Sequence, residues 1–148
     1  MSQSFVQIYV HIVFHTKNNT KLIMEEVENE LYSYIGGILK NYKSVLLQAG
    51  GTYDHLHLLC TLPKTIALAD LVEEIKKSSS KWIKSKGSNY HNFYWQDGYG
   101  AFSVSNSGVK TINKYIATQK EHHKKLSGIN EYRNLLDEYG IPYEERYL

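Results

Sequence analysis

His55 and His57 stand one residue apart in the stretch YDHLHLLC, Tyr53 to Cys60. Strand alternation puts Tyr53, His55, His57 and Leu59 on one face and Leu56, Leu58 and Cys60 on the other. Two imidazoles at i and i+2 on one strand face lie close enough to bind a single ion. The same spacing serves an ordinary hydrogen-bonded pair, and two ligands alone specify no chemistry.

A second group of candidates lies in SGVKTINKYIATQKEHHKK. On a helix, Tyr115 and Gln119 are surface neighbours at i and i+4, beside an apolar stripe of Val109, Ile112 and Ile116. At that border a side chain is positioned yet reachable. Gln119 offers a neutral carbonyl oxygen as a third ligand and Tyr115 offers a phenol, although an amphipathic tyrosine beside a solvated glutamine is the plainer reading. Of the other histidines, His11 falls on a strand face that can support the pair, although a hydrogen-bonded structural imidazole is the plainer reading. His122 and His123 follow Gln119 by one turn, placed to assist with DNA or proton transfer or, more plainly, at a solvated helix end. Asp54 directly precedes the pair and suits a supporting role. Tyr99 is a rival phenol in a Gly-flanked strand start without a Gln partner. Trp95 and Phe102 read as packing residues.

The elements that would position these groups are legible from periodicity. FVQIYVHIVF, residues 5–14, alternates as a strand, with Val6, Ile8, Val10, Ile12 and Phe14 on one face and Gln7, Tyr9 and His11 on the other. Residues 24–40 carry a helical stripe of Val27, Leu31, Ile35, Ile38 and Leu39. SVLLQAGGTYDHLHLLCTLP reads as two strands around a Gly50-Gly51 turn. Helices are expected over 66–86, 107–125 and 129–139, and a fourth strand over 98–105. The order β-α-β-β-α-β followed by helices is that of an α+β, ferredoxin-like (split βαβ) fold. It has an antiparallel sheet with two helices on one face, an additional C-terminal helix, and a second sheet face open for a site.

At 148 residues the chain suits one domain, 1–148. No apolar run approaches the ~20 residues of a membrane span. The start lacks a basic region and a cleavage site, so a cytoplasmic protein is expected. The single Cys60 excludes an internal disulfide and a cysteine-based zinc cluster. The net charge is only +2, but lysines cluster at 76, 77, 81, 84 and 86, and again at 110, 114, 120, 124 and 125. Such runs track a phosphate backbone or simply solvate a helix face. Thirteen tyrosines are many for this length; they can stack on bases, although packing at core edges is the plainer role for most.

The segments YVHIVFHTKNN, DHLHLL, YWQDGYGAFSVS and INKYIATQKEHHKK, in this order, resemble the IS200/IS605-type single-tyrosine transposases of the HUH endonuclease superfamily. HLHLL alone is a weak motif. Joined to Y-x-x-x-Q on a later helix, with WQDGYGAFSVS between them, it is a strong one. The likeness runs from about residue 4 to residue 125, and the tail GIPYEERYL shares it. It implies that His55, His57 and Gln119 bind a divalent metal, Mg²⁺ or Mn²⁺, and that Tyr115 is the nucleophile of a single-stranded DNA endonuclease and strand transferase. It further implies a 5′-phosphotyrosine intermediate, recognition of hairpin ends of an insertion sequence, and a homodimer whose active site is completed across subunits. Lys110, Lys114, Lys124 and Lys125 are the DNA-contact candidates, and no separate DNA-binding domain is expected.

Three other readings fit parts of the same pattern. A non-catalytic module could bind single strands on the sheet, as ferredoxin-like sheets do. A host-adopted relative could process chromosomal repeat hairpins. A structural zinc protein could use the histidines alone, and would form no covalent DNA adduct.

Overall fold

In the computed structural model, which describes residues 2–148, nine regular elements follow the expected order. They are β1 (Tyr9–His15), α1 (Glu25–Asn41), β2 (Leu46–Thr52), β3 (His55–Thr61), α2 (Leu68–Lys84), β4 (Gly100–Val104), α3 (Val109–Ala117), α4 (Gln119–His122) and α5 (Gly128–Glu138). The strands form one antiparallel sheet in the order β2-β3-β1-β4. This is the ferredoxin-like arrangement, with the two crossover helices on one face.

The two-residue period sorts the sheet as expected. Val10, Ile12 and Phe14 of β1 and Leu56, Leu58 and Cys60 of β3 face α1 and α2 in the main core. There they meet Val27, Leu31, Ile35 and Leu39 of α1 and Leu71, Val72 and Ile75 of α2. Trp95 closes the rim, edge-on to both Phe14 and Phe93, with its indole N–H on Ser79.

The opposite face is not open. Helices α3, α4 and α5 cover it, and two smaller apolar clusters fix them there. Leu59, Val104 and Ile116 seat α3, and Val13, Phe102, Leu135 and Leu136 seat α5. The space between these clusters is polar, and it holds the histidines.

Three further expectations change. The first strand begins at Tyr9 rather than residue 5, and Val6 and Ile8 are exposed. Tyr9 pairs with Thr61 and Val104, the last residues of β3 and β4, so no partner strand extends beyond it. Gly50 and Gly51 lie inside β2, paired with His57 and Leu56, and the chain reverses at Tyr53-Asp54. Glycine is needed at residue 50 because α3 crosses the strand there: a Cβ would sit 2.2 Å from the Ile116 carbonyl oxygen. Finally, the helix expected over 107–125 breaks at Thr118, whose backbone leaves the helical region and whose hydroxyl donates to the Lys114 carbonyl at 2.9 Å. The break turns Gln119 inward, where it is buried.

Candidate metal and nucleophile site

β3 presents His55 and His57 to the polar space, and both are fully buried. β1 supplies His11 and His15 alongside, in register with Leu59 and His55. Above them α3 brings Tyr115, α4 brings Gln119, the turn after α4 brings His123, and α5 brings Glu131. The polar groups of five elements and one turn thus meet within the chain.

Each imidazole of the pair is fixed through its Nδ1. His55 Nδ1 donates to Asp54 Oδ1 at 2.7 Å, and Thr52 Oγ1 donates to the same oxygen at 3.2 Å. His57 Nδ1 lies 2.7 Å from His11 Nε2. Both Nε2 atoms therefore point to one place. There His57 Nε2 is 2.7 Å from Glu131 Oε1, and His55 Nε2 is 3.2 Å from Gln119 Oε1 and 3.5 Å from Glu131 Oε1. His123 Nε2 joins them, 3.0 Å from Gln119 Oε1 and 3.3 Å from Glu131 Oε1. The second Glu131 oxygen accepts from Gln119 Nε2 at 3.1 Å and from the Tyr115 hydroxyl.

This donor set fits a divalent cation. The ligating atoms of His55, His57, His123 and Glu131 all lie within 4.8 Å of one another. Ligands at ~2.1 Å from one ion sit about 3–4 Å apart, so the widest separation must close by roughly 1–2 Å. The Asp54–His55 contact is the carboxylate–imidazole arrangement that orients a metal-binding nitrogen. His11, held neutral, can accept as well as donate, so His57 can carry its proton on Nδ1 and leave Nε2 free for an ion.

A sequence profile described as "Transposase IS200 like" matches residues 4–119. The chain belongs to this family. Among solved structures, a candidate transposase from Deinococcus radiodurans R1 superposes with a TM-score of 0.62 at 22% identity, over 80% of this chain and 96% of that one. A REP-associated tyrosine transposase bound to a REP hairpin superposes with a TM-score of 0.61 at 15% identity, over 83% of this chain and 73% of that one. At these identities the likeness speaks for the fold. No curated protein sequence matches.

In this IS200-like transposase, the matched span contains His55, His57, Tyr115 and Gln119 but neither His123 nor Glu131. The sequence signals neither as a site residue: His123 reads as a solvated helix end, and Glu131 stands in no motif. The available signal was position. Glu131 lies three residues after Gly128 and four before Leu135, all on the buried stripe of α5. Tyr99, the rival phenol, packs against the main core instead. Lys110, Lys114, Lys124 and Lys125 are exposed, the first two on α3 and the others in the turn after α4. They lie outside the polar cluster. A groove of about 500 Å³ leads past Lys21, Tyr53, Lys120 and Lys124 to Asp54, His123 and Gly128.

The electrostatics follow from burial. Desolvation favours neutral His11 and His15, whose pKa values fall to about 3 and about 4, helped by their neighbours His57 and His55. Burial also lowers His57, against the pull of Glu131. His55 goes the other way: burial opposes its charge, but bonds to Asp54 and Glu131 prevail and raise it to about 9. Burial would raise Glu131, yet hydrogen bonds from His123, His55 and His57 hold it well below the usual carboxylate range. For Tyr115, burial and the adjacent Glu131 carboxylate raise the phenol above its ordinary value.

These shifts set an acid limit. His11 faces His57 and Glu131, and His15 faces His55, Asp54 and His57. Between pH 6.5 and about 4 the unfolded chain takes up protons on His11 and His15 that the folded metal-free protein refuses, and the lowered His57 acts in the same direction, so stability falls as pH drops. At ~1.4 kcal/mol per pKa unit the loss amounts to several kcal/mol. Denaturant melts at pH 7, 5.5 and 4.5 should show it, and the His15→Asn variant should flatten the slope.

Proposed function

We propose that this transposase cleaves and rejoins single-stranded DNA, with Tyr115 as nucleophile and a divalent cation, Mg²⁺ or Mn²⁺, held by His55, His57 and Gln119. The observation that carries the reading is the convergence of the Tyr115 hydroxyl and the two Nε2 atoms on one buried polar cluster. A cation there supplies Lewis acidity to a phosphate oxygen. Tyr115 Oη attacks the phosphorus in line and its proton passes to solvent. The P–O3′ bond breaks, and the departing oxygen takes up a proton as a 3′-hydroxyl. The downstream strand is left on Tyr115 through its 5′-phosphate. That ester keeps the energy of the original linkage, so another 3′-hydroxyl can reverse the step and join strands without ATP.

The substrate is a single strand with a hairpin; the REP-associated neighbour is bound to a REP hairpin. We place the strand in the groove beside the cluster. Lys21, Lys120 and Lys124 line it for phosphate contact, and the half-exposed Tyr53 offers a stacking surface. Lys110, Lys114 and Lys125 extend the same role outside the groove. Pairing of two copies at a sheet edge and a cytoplasmic location belong to the same proposal.

Incubation of the protein with a hairpin-bearing single-stranded oligonucleotide tests this. Cleavage in Mg²⁺ or Mn²⁺ that stops with a chelator is expected. Tight binding without cleavage in either metal would favour the non-catalytic module.

A further inference from the structure

Glu131 is an anomaly for a site of two histidines and an amide. It is a carboxylate with 2% exposure, delivered by a helix outside the span that matches the family. An isolated buried carboxylate costs several kcal/mol, so its surroundings must repay it. They do so unevenly on its two oxygens. Oε1 sits among three imidazole nitrogens at 2.7, 3.3 and 3.5 Å, from His57, His123 and His55. Oε2 is turned away from them, toward the Tyr115 hydroxyl and the Gln119 amide. One oxygen thus stands in the ion's neighbourhood and the other on the nucleophile.

We infer that Glu131 couples cation and nucleophile. Oε1 ligates the ion held by His55 and His57, and Oε2 holds Tyr115 Oη at a fixed distance from it. A carboxylate bridging these roles reduces the charge of the site by one and fixes the phenol without a second group. It also explains the division of Gln119, whose Oε1 faces His55 and His123 while its Nε2 steadies Glu131. α5 becomes part of the catalytic apparatus, seated by Leu135 and Leu136 on Val13 and Phe102. The opposing reading makes Glu131 a plug that the DNA phosphate must displace.

This inference rests on the nuclease reading, and a binding measurement separates the two. Mn²⁺ favours carboxylate and carbonyl oxygens, so its affinity is sensitive to Glu131, and it is the probe. It is titrated calorimetrically into the wild type, Glu131→Gln and Glu131→Asp, with melting curves as the fold control. Loss of a ligand should weaken Mn²⁺ binding at least about tenfold in E131Q. E131D keeps the charge but shortens the bridge. It should bind Mn²⁺ within a few-fold of wild type yet lose kcat by about 10²-fold at unchanged KM for the strand. E131Q with wild-type Mn²⁺ affinity, or with faster cleavage, overturns the coupling and supports the plug. Should E131Q fail to fold, an unchanged kcat in E131D overturns it equally. If the wild type cleaves nothing, the nuclease reading fails, and the Mn²⁺ titration still decides whether Glu131 is a ligand.

Discussion

Tyr115→Phe is expected to lower single-strand cleavage by about four to six orders of magnitude, the usual cost of deleting a nucleophile. The fold should survive. The ring stays beside His57, whose centroid is 5.8 Å away, and beside His11 at 6.2 Å. What is lost is the hydroxyl that donates to Glu131, and His57 and Gln119 still satisfy that carboxylate. The stability change should therefore be near 1 kcal/mol, the net worth of one hydrogen bond whose partner keeps others. Binding of metal and of uncleaved strand should be little altered. Single-turnover cleavage and a melting curve check both halves. Retained cleavage would point to another nucleophile.

Gly50→Ala is expected to damage the site from its far side. A methyl group at residue 50 would lie 2.2 Å from the Ile116 carbonyl oxygen and 3.1 Å from its carbon, so backbone must move. Ile116 is fully buried and anchors α3 on Leu59 and Val104. Relief requires α3 to rise by roughly an ångström, and Tyr115 rises with it. Overpacking of this kind costs about 1–3 kcal/mol. A 1 Å error in the position of a reacting group costs about 10²-fold in rate. The melting temperature and kcat should fall together, and Mn²⁺ affinity should fall less than kcat: His55 and His57 are held on β3, whereas Gln119 follows α3 and moves with it. A variant with normal kcat would show that α3 need not lie on β2.

Much of this was legible in the residues themselves. Alternation in β1 and β3 separates Val10, Ile12, Phe14, Leu56, Leu58 and Cys60 from His11, His55 and His57, because a sheet packed on helices must bury one face. The i,i+4 relation of Tyr115 and Gln119 survives the break at Thr118, since Gln119 still reaches back to the Tyr115 carbonyl. The Gly50-Gly51 pair misled because glycine marks turns and close approaches alike. Only the tertiary position of Ile116 distinguishes them. Glu131 stayed hidden for a related reason. In GINEYRNLLDE it looks like one acidic residue among three on an ordinary polar helix. Its burial depends on α5 folding back over the histidines, a long-range contact that no local pattern encodes. The covering of the second sheet face followed from the same helices, whose destination the sequence left open.

The most direct measurement is the fate of an end label in denaturing electrophoresis after incubation with metal and a hairpin-bearing single strand. A strand labelled at its 3′ end should appear on the protein, since the downstream fragment is joined to Tyr115 through its 5′-phosphate. A 5′-labelled strand should yield only a shortened free fragment. The protein-bound label should vanish with a chelator and in Y115F. A label carried from the 5′ end, or an adduct that persists without Tyr115 or without metal, would contradict the assignment of nucleophile and cation to this cluster.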